Sequence, residues 1–135
     1  MSSRSDVERI MRDAYAARLR GDIDAICRIF ADNATFQMAG THNASPVAIR
    51  SDGVSQFRPL IEQMIKTFEL SDHQIVSMIV EGSKAAVHWR ARIRSTVTGV
   101  TAVSDLLDLV EIKDGRIASF VEFCDTALAA QMMKH

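Results

Sequence analysis

Along residues 84–94 apolar and polar side chains alternate. Ala85, Val87, Trp89, Ala91 and Ile93 fall on one side, and Lys84, His88, Arg90, Arg92 and Arg94 on the other. A period of two is that of a β-strand with one buried face. The apolar set needs a partner layer, and the basic set is left for solvent or an interface. The N-terminal third has a different period. Over residues 6–20, Val7, Ile10, Met11, Ala14 and Ala17 recur at helical spacing, with Tyr15 and Leu19 along one margin. Ser5 or Asp6 is positioned to cap this helix and Gly21 to end it.

A short second helix follows in "GDIDAICRIFADN", with Ile23, Ile26, Cys27 and Phe30 on one face and Asp22 as its cap. "ATFQM" predicts a short strand, and "AGTHNASPVAIRSDG" a loop rich in turn formers. "VSQFRPLIEQMIKTF" carries Val54, Phe57, Leu60, Ile61, Met64 and Ile65 on one helical face, with Asp52 as the expected cap. Pro59 interrupts the pattern, so this helix either bends there or starts near Arg58. Strand-like segments then run over 70–81, 84–97, 100–112 and 116–124, and "TALAAQMMKH" closes the chain as a short helix or tail. Helices first and a meander of strands afterwards imply an α+β fold, with helices packed on one face of a curved antiparallel sheet.

The turn "IKDGRI" decides which residues of the last two strands share a face. A two-residue Asp114-Gly115 loop sets Asp108 opposite Val121. A three-residue loop with a left-handed Gly115 sets Asp108 opposite Phe120 and Leu106 opposite Glu122. The second is preferred, because Lys-Asp-Gly suits a type I turn followed by a left-handed glycine. It places Asp108, Val110, Ile112, Phe120, Glu122 and Cys124 on one face, with Asp108 and Glu122 diagonal at about 7–8 Å. Two carboxyls on a covered apolar face do not both ionise cheaply, so at least one pKa should rise toward neutrality. Such a group can take or give a proton near pH 7. The plainer reading is that each acid sits at a strand end or finds an arginine.

Composition narrows the partners. The 135 residues suit one domain spanning the whole chain, 1–135, and 16 basic against 17 acidic side chains leave a net charge of −1. That balance gives no reason to expect nucleic acid or an anionic membrane as partner. No apolar run is long enough for a membrane span, and the first residues lack the apolar core of a secretory signal, so a cytoplasmic location is expected. Cys27 and Cys124 lack metal-site spacing and are expected to be reduced and structural. No HxH, HExxH, GxGxxG, Walker or GxSxG pattern occurs, so neither a metal nor a nucleotide cofactor is expected.

The segments "YAARLRGDIDAICRIFADNATF" and "DGRIASFVEFCD", with the order of elements between them, resemble the nuclear transport factor 2-like superfamily. This includes SnoaL-like polyketide cyclases, ketosteroid isomerases and limonene epoxide hydrolase. The resemblance covers nearly the whole chain. It implies a cone, a curved sheet around an apolar pocket closed by the N-terminal helices, and commonly a homodimer through the sheet's outer face. It does not by itself imply one activity. Where ketosteroid isomerases carry a general-base Asp, this chain has Met38. Where they carry an oxyanion-binding Tyr, it has Ala14, with Tyr15 one residue and about 100° out of phase. Their oxyanion-binding Asp matches Asp108. The Arg and Asp of the epoxide-opening triad fall on Trp89 and Ala91, with Arg90 and Arg92 on the other face. The acid at the eighth position from the glycine of "DGRI", as in the hydrolase and cyclase branches, matches Glu122.

The resemblance therefore implies a hydrophobic, oxygenated small-molecule partner. The candidate catalytic residues are Glu122 as acid/base, Asp108 as a protonated oxyanion partner, and His42 in the loop at the pocket mouth. Tyr15, Met38, Trp89, Val110 and Phe120 are the candidate pocket wall. The expected chemistry is a cofactor-independent isomerisation, cyclisation or hydrolysis. The alternatives are a non-catalytic binding protein and an interaction module using His88, Arg90 and Arg92.

Overall fold

The computed structural model describes residues 3–40 and 49–134. Helix α1 (Arg4–Arg20) starts two residues earlier than the apolar pattern suggests. Its cap is Ser3, which forms a reciprocal capping box with Asp6, in place of Ser5 or Asp6. Gly21 ends it in the left-handed region, with φ 68°. Asp22 caps α2 (Ile23–Ile29), accepting from the Ala25 N–H at 3.1 Å. The chain passes without a loop into β1 (Phe30–Met38), longer than "ATFQM" alone, and after the undescribed segment into β2 (Ile49–Asp52), inside the stretch expected to be loop.

Helix α3 (Val54–Thr67) runs unbroken through Pro59. The carbonyl that Pro59 leaves without its donor belongs to Ser55, and both residues are exposed, so water can satisfy it. Asp52 does not cap α3. Gly53 stands at that position, while the Gln56 side chain accepts from the Asp52 N–H at 2.9 Å. Four long strands follow: β3 (Phe68–Glu81), β4 (Lys84–Ser95), β5 (Thr101–Lys113) and β6 (Arg116–Phe123). A last helix, α4 (Thr126–Met133), is capped by Asp125.

The strands form one curved, open sheet in the order β2-β1-β6-β5-β4-β3, and with the four helices they give the α+β architecture read from the element order. All neighbours are antiparallel except β1 and β6, which pair in parallel. The predicted inward set of β4 is buried, and Val87 and Ala91 are fully so. The outward basic row is neutralised locally, by Arg94–Glu69, Arg92–Asp72 and Arg90–Asp105, with His88 also on Asp105. On the concave side Phe57 of α3 stacks on Phe30 at 4.4 Å and meets Phe36 at 5.0 Å, while Phe36 and Phe120 lie 5.6 Å apart. This aromatic cluster fixes α3 across the strands. Helix α4 crosses the other end of the sheet, held by the Ser95 and Thr98 hydroxyls, which donate to the Met132 carbonyl at 2.6 and 3.0 Å. Among the described residues no helix is long and apolar enough to cross a membrane.

Candidate functional site

The β5–β6 hairpin places the two carboxyls. Lys113 pairs with Arg116, so the loop has two residues, and Asp114 (φ 52°) and Gly115 (φ 77°) are both left-handed. That is a type I′ turn, for which Asp-Gly is a preferred sequence. The expected three-residue loop is therefore absent. The shared face survives by another device: Ile112 pairs with Ile117 but Glu111 with Ser119, so Ala118 is an extra residue in β6. This bulge shifts the phase by one, and Asp108 comes directly opposite Glu122 instead of diagonal to it. Directly opposed residues have Cα atoms only about 4.5–5.5 Å apart. Asp108 is 0% exposed and Glu122 8%.

Asp108 is the hub of a buried polar cluster. The Tyr15 hydroxyl donates to its Oδ2 at 2.5 Å, and the Trp89 indole N–H donates to the same atom at 2.7 Å. Its Oδ1 has no partner among the described residues. Burial, and then the Glu122 charge beside it, push the Asp108 carboxyl well above the ordinary range, against the smaller pull of the Tyr15 and Trp89 donors. Burial also raises Glu122, while Asp108 and the charge of Arg18 draw it back down. Of the pair, Asp108 is held further toward its protonated form, and Glu122, drawn down by Asp108 and Arg18, is the member that ionises first. The two titrate as a pair.

Glu122, not Asp108, reaches open space. A cavity of about 120 Å³ lies between the concave face and the helices, and it is lined mainly by apolar side chains. Met38, Trp89 and Phe120 form part of this wall, as the sequence reading expects. Val110 does not line it: it is buried in the core beside Phe120, its cross-strand partner. Asp108 also lies behind the wall, so the expectation that it would meet a ligand's oxygen is replaced by a supporting position. His42 lies outside the described residues.

Tyr15 is not a marginal residue. It follows Met11 by one helical turn, is 7% exposed, and lines the cavity. The buried stripe of α1 is wide enough to take in both Ala14 and Tyr15. Two further polar side chains at the cavity had no prominence in the sequence. Arg18, one turn beyond Ala14, donates from Nη2 to the Phe68 carbonyl at 2.8 Å. His73 packs 5.0 Å from both Tyr15 and Trp89, and burial lowers its pKa, so it is neutral at pH 7. Ser71 pairs with Arg92 and Gln74 with Arg90, so β3 carries an extra residue beside His73, with Asp72 left-handed at φ 51°. No sequence period announces such a bulge. Cys124 also lines the cavity, and burial followed by the Glu122 charge pushes its thiol up to about 11, leaving it protonated.

The Tyr15 bond offers a direct check on the hub. Tyr15→Phe removes one of two donors to Asp108 without opening a large cavity. It should lower the stability measured by urea unfolding by about 1 kcal/mol. An unchanged midpoint would show that the bond contributes nothing net.

The SnoaL-like domain model matches residues 11–120. The fold is shared with a nuclear transport factor 2-like protein of Burkholderia xenovorans LB400, at 21% identity over 98% of each chain with a TM-score of 0.84. It is shared with a protein of Xanthomonas campestris pv. campestris provisionally described as a polyketide cyclase, at 19% identity over 97% of this chain and 99% of that one, TM-score 0.78. An LEH-like epoxide hydrolase of M. tuberculosis superposes with a TM-score of 0.75, at 14% identity over 96% of this chain and 90% of that one. No curated protein matches the chain. At these identities the superpositions establish the fold, and the chemistry must be argued from the side chains.

Proposed function

Because this chain belongs to the SnoaL-like domain family, we propose that it is a cofactor-independent enzyme that moves a proton on a hydrophobic, oxygenated small molecule held in the concave cavity. The observation that carries the proposal is Glu122, a nearly buried carboxyl with a raised pKa at an otherwise apolar cavity, directly opposite a second buried carboxyl. Folding alone does not call for this pair. Two buried acids side by side cost stability, and such arrangements are typical of proton-transfer sites. Ionised Glu122 takes a proton from a carbon next to a ligand carbonyl, the electron pair moves onto the carbonyl oxygen, and the Glu122 acid then returns the proton at another atom. An isomerisation or a ring closure can begin in this way; in a hydrolytic opening Glu122 would instead take the proton from a water as its oxygen attacks carbon and the C–O bond opens. Asp108 does not touch the ligand in this reading. It keeps its own proton, holds Tyr15 and Trp89, and draws the Glu122 pKa back down from where burial puts it.

The test needs no knowledge of the natural substrate. 2-Tetralone, an apolar ketone with acidic α-hydrogens, is incubated with the protein in D2O and its α-proton signals are followed by NMR. Exchange faster than in buffer, lost in Glu122→Gln, supports the proposal. Binding of 2-tetralone without faster exchange instead supports a ligand-binding protein with the same cavity.

We further propose that the molecule is a homodimer through the convex sheet face. Ile79 and Leu109, 65% and 43% exposed there, flank Ala86, Phe123 at 44% lies opposite Leu107, and Val103 at 56% stands beyond the Arg90–Asp105–His88 cluster. Such exposed apolar positions on one face are costly to leave in water and suit a second copy. By analytical ultracentrifugation the wild type should sediment as a dimer and Val103→Asp as a folded monomer. A monomeric wild type would contradict this part of the proposal.

A further inference from the structure

Arg18 is the only Lys or Arg among the described residues that line the cavity. A guanidinium has five N–H donors. The contact to the Phe68 carbonyl uses one, and Arg18 makes no other side-chain hydrogen bond among the described residues. Every ion pair among those residues lies on the surface, and none includes Arg18. Its place in the last turn of α1 suits the helix dipole, but the dipole does not require the head group to be half-buried at an apolar cavity. A purely structural arginine normally sits in water or in contact with a carboxylate, because an unpaired, desolvated charge is costly; Glu122 feels the charge of Arg18 but forms no contact ion pair with it. Here the Phe68 carbonyl fixes the orientation of the fork, while most of its donors have no partner among the described residues.

We infer that Arg18 is an anion-recognition residue, and that the cavity takes an apolar molecule ending in a carboxylate. A planar guanidinium with free N–H groups matches a carboxylate in charge and geometry, and the apolar walls take the rest of the molecule. This rests on the reading of the cavity as a substrate site, but not on proton transfer being the reaction. Glu122 faces the same space, so an incoming carboxylate is attracted by Arg18 and repelled by ionised Glu122. The two residues should therefore act on binding with opposite signs.

The experiment compares 2-naphthoate with 2-acetonaphthone, which share a ring system and differ in charge. Affinities are measured by isothermal titration calorimetry at about pH 8. Wild-type protein is expected to bind 2-naphthoate about ten- to a hundredfold more tightly than the ketone, the range of a charged hydrogen bond. Arg18→Met should abolish this preference while leaving ketone affinity unchanged. Arg18→Lys, which keeps the charge but not the fork, should fall between the two. Glu122→Gln should tighten 2-naphthoate binding and leave the ketone unaffected. Wild-type protein that binds the two probes equally, or takes up neither, overturns the inference even if Arg18→Met fails to fold. So does a preference that survives in Arg18→Met. If carboxylate preference is found and 2-tetralone exchange is not, the inference stands and the proton-transfer proposal falls.

Discussion

Glu122→Gln is expected to lower the α-proton exchange of 2-tetralone by about 10²–10⁴-fold, the usual contribution of a positioned acid or base. The amide has nearly the shape of the acid but cannot take a proton. The rate of the wild-type protein should rise with pH through the Glu122 pKa, which burial has lifted above the ordinary carboxylate range, and level off above it. The same substitution should change stability in the other direction. A carboxyl whose folded pKa lies above its unfolded pKa binds its proton more tightly in the native state. Its contribution to stability is fully present below the unfolded value, near pH 4, and is lost as pH rises through the folded value. Wild-type protein should therefore lose stability relative to Glu122→Gln as pH rises from the ordinary glutamate range through the raised pKa of folded Glu122. Exposed Asp105 acts with the opposite sign: hydrogen bonds from Arg90 and His88 lower its pKa to about 2, but it is present in both proteins and cancels in the comparison. Gain of stability with loss of activity is the pattern expected of a site that folding does not require.

The second large effect concerns Asp108. Asp108→Leu removes the one atom that accepts from both Tyr15 and Trp89, leaving two buried donors without a partner. At roughly 1–3 kcal/mol for each orphaned group, the loss in urea unfolding should be about 2–6 kcal/mol. Asp108→Asn keeps a carbonyl oxygen in place and is neutral, as the protonated acid is, so it should stay within about 1 kcal/mol of wild type. If the two variants are equally stable, the hydrogen bonds to Asp108 are not what holds the cluster. Asp108 acts on the reaction through Glu122, so its signature is a change of pH profile. The coupled, two-step dependence of the wild type should become a single step in Asp108→Asn. A merely structural residue would leave the profile's shape unaltered.

Much of this arrangement could be read in the chain because it follows from strict periods. The alternation around Trp89 fixed the inward face of β4, and the Lys-Asp-Gly turn tied β5 to β6 closely enough to put Asp108 and Glu122 on one face. The reason given for that face was mistaken. Asp-Gly forms the tight two-residue turn, and the extra residue sits at Ala118, where nothing in "RIASF" marks a bulge. The same blindness hid His73, which a bulge in β3 brings against Tyr15 and Trp89. Tyr15, a candidate for the pocket wall, does line the cavity although its period puts it at the helix margin, because a packed helix buries a sector wide enough for both Ala14 and Tyr15. Arg18 could have been found as the next turn of that stripe, but a basic residue near a helix C-terminus reads as a partner of the dipole. Strand β2 is hidden in turn-forming sequence, since a short edge strand needs only a neighbour's hydrogen bonds and no apolar period, and the first residues of β1, Phe30–Asn33, read as the end of α2.

Everything proposed for the site depends on Glu122 being an ionisable group whose pKa is raised by burial and shared with Asp108. Carboxyl-detected 13C NMR, with labelled Glu and Asp and with Glu122→Gln and Asp108→Asn to assign the signals, measures this directly. Two carboxyl resonances should titrate together in two steps, both above the ordinary carboxylate range and Asp108 last, with Glu122 reverting to one simple step in Asp108→Asn. A Glu122 signal that titrates near pH 4.5, independently of residue 108, would contradict the account.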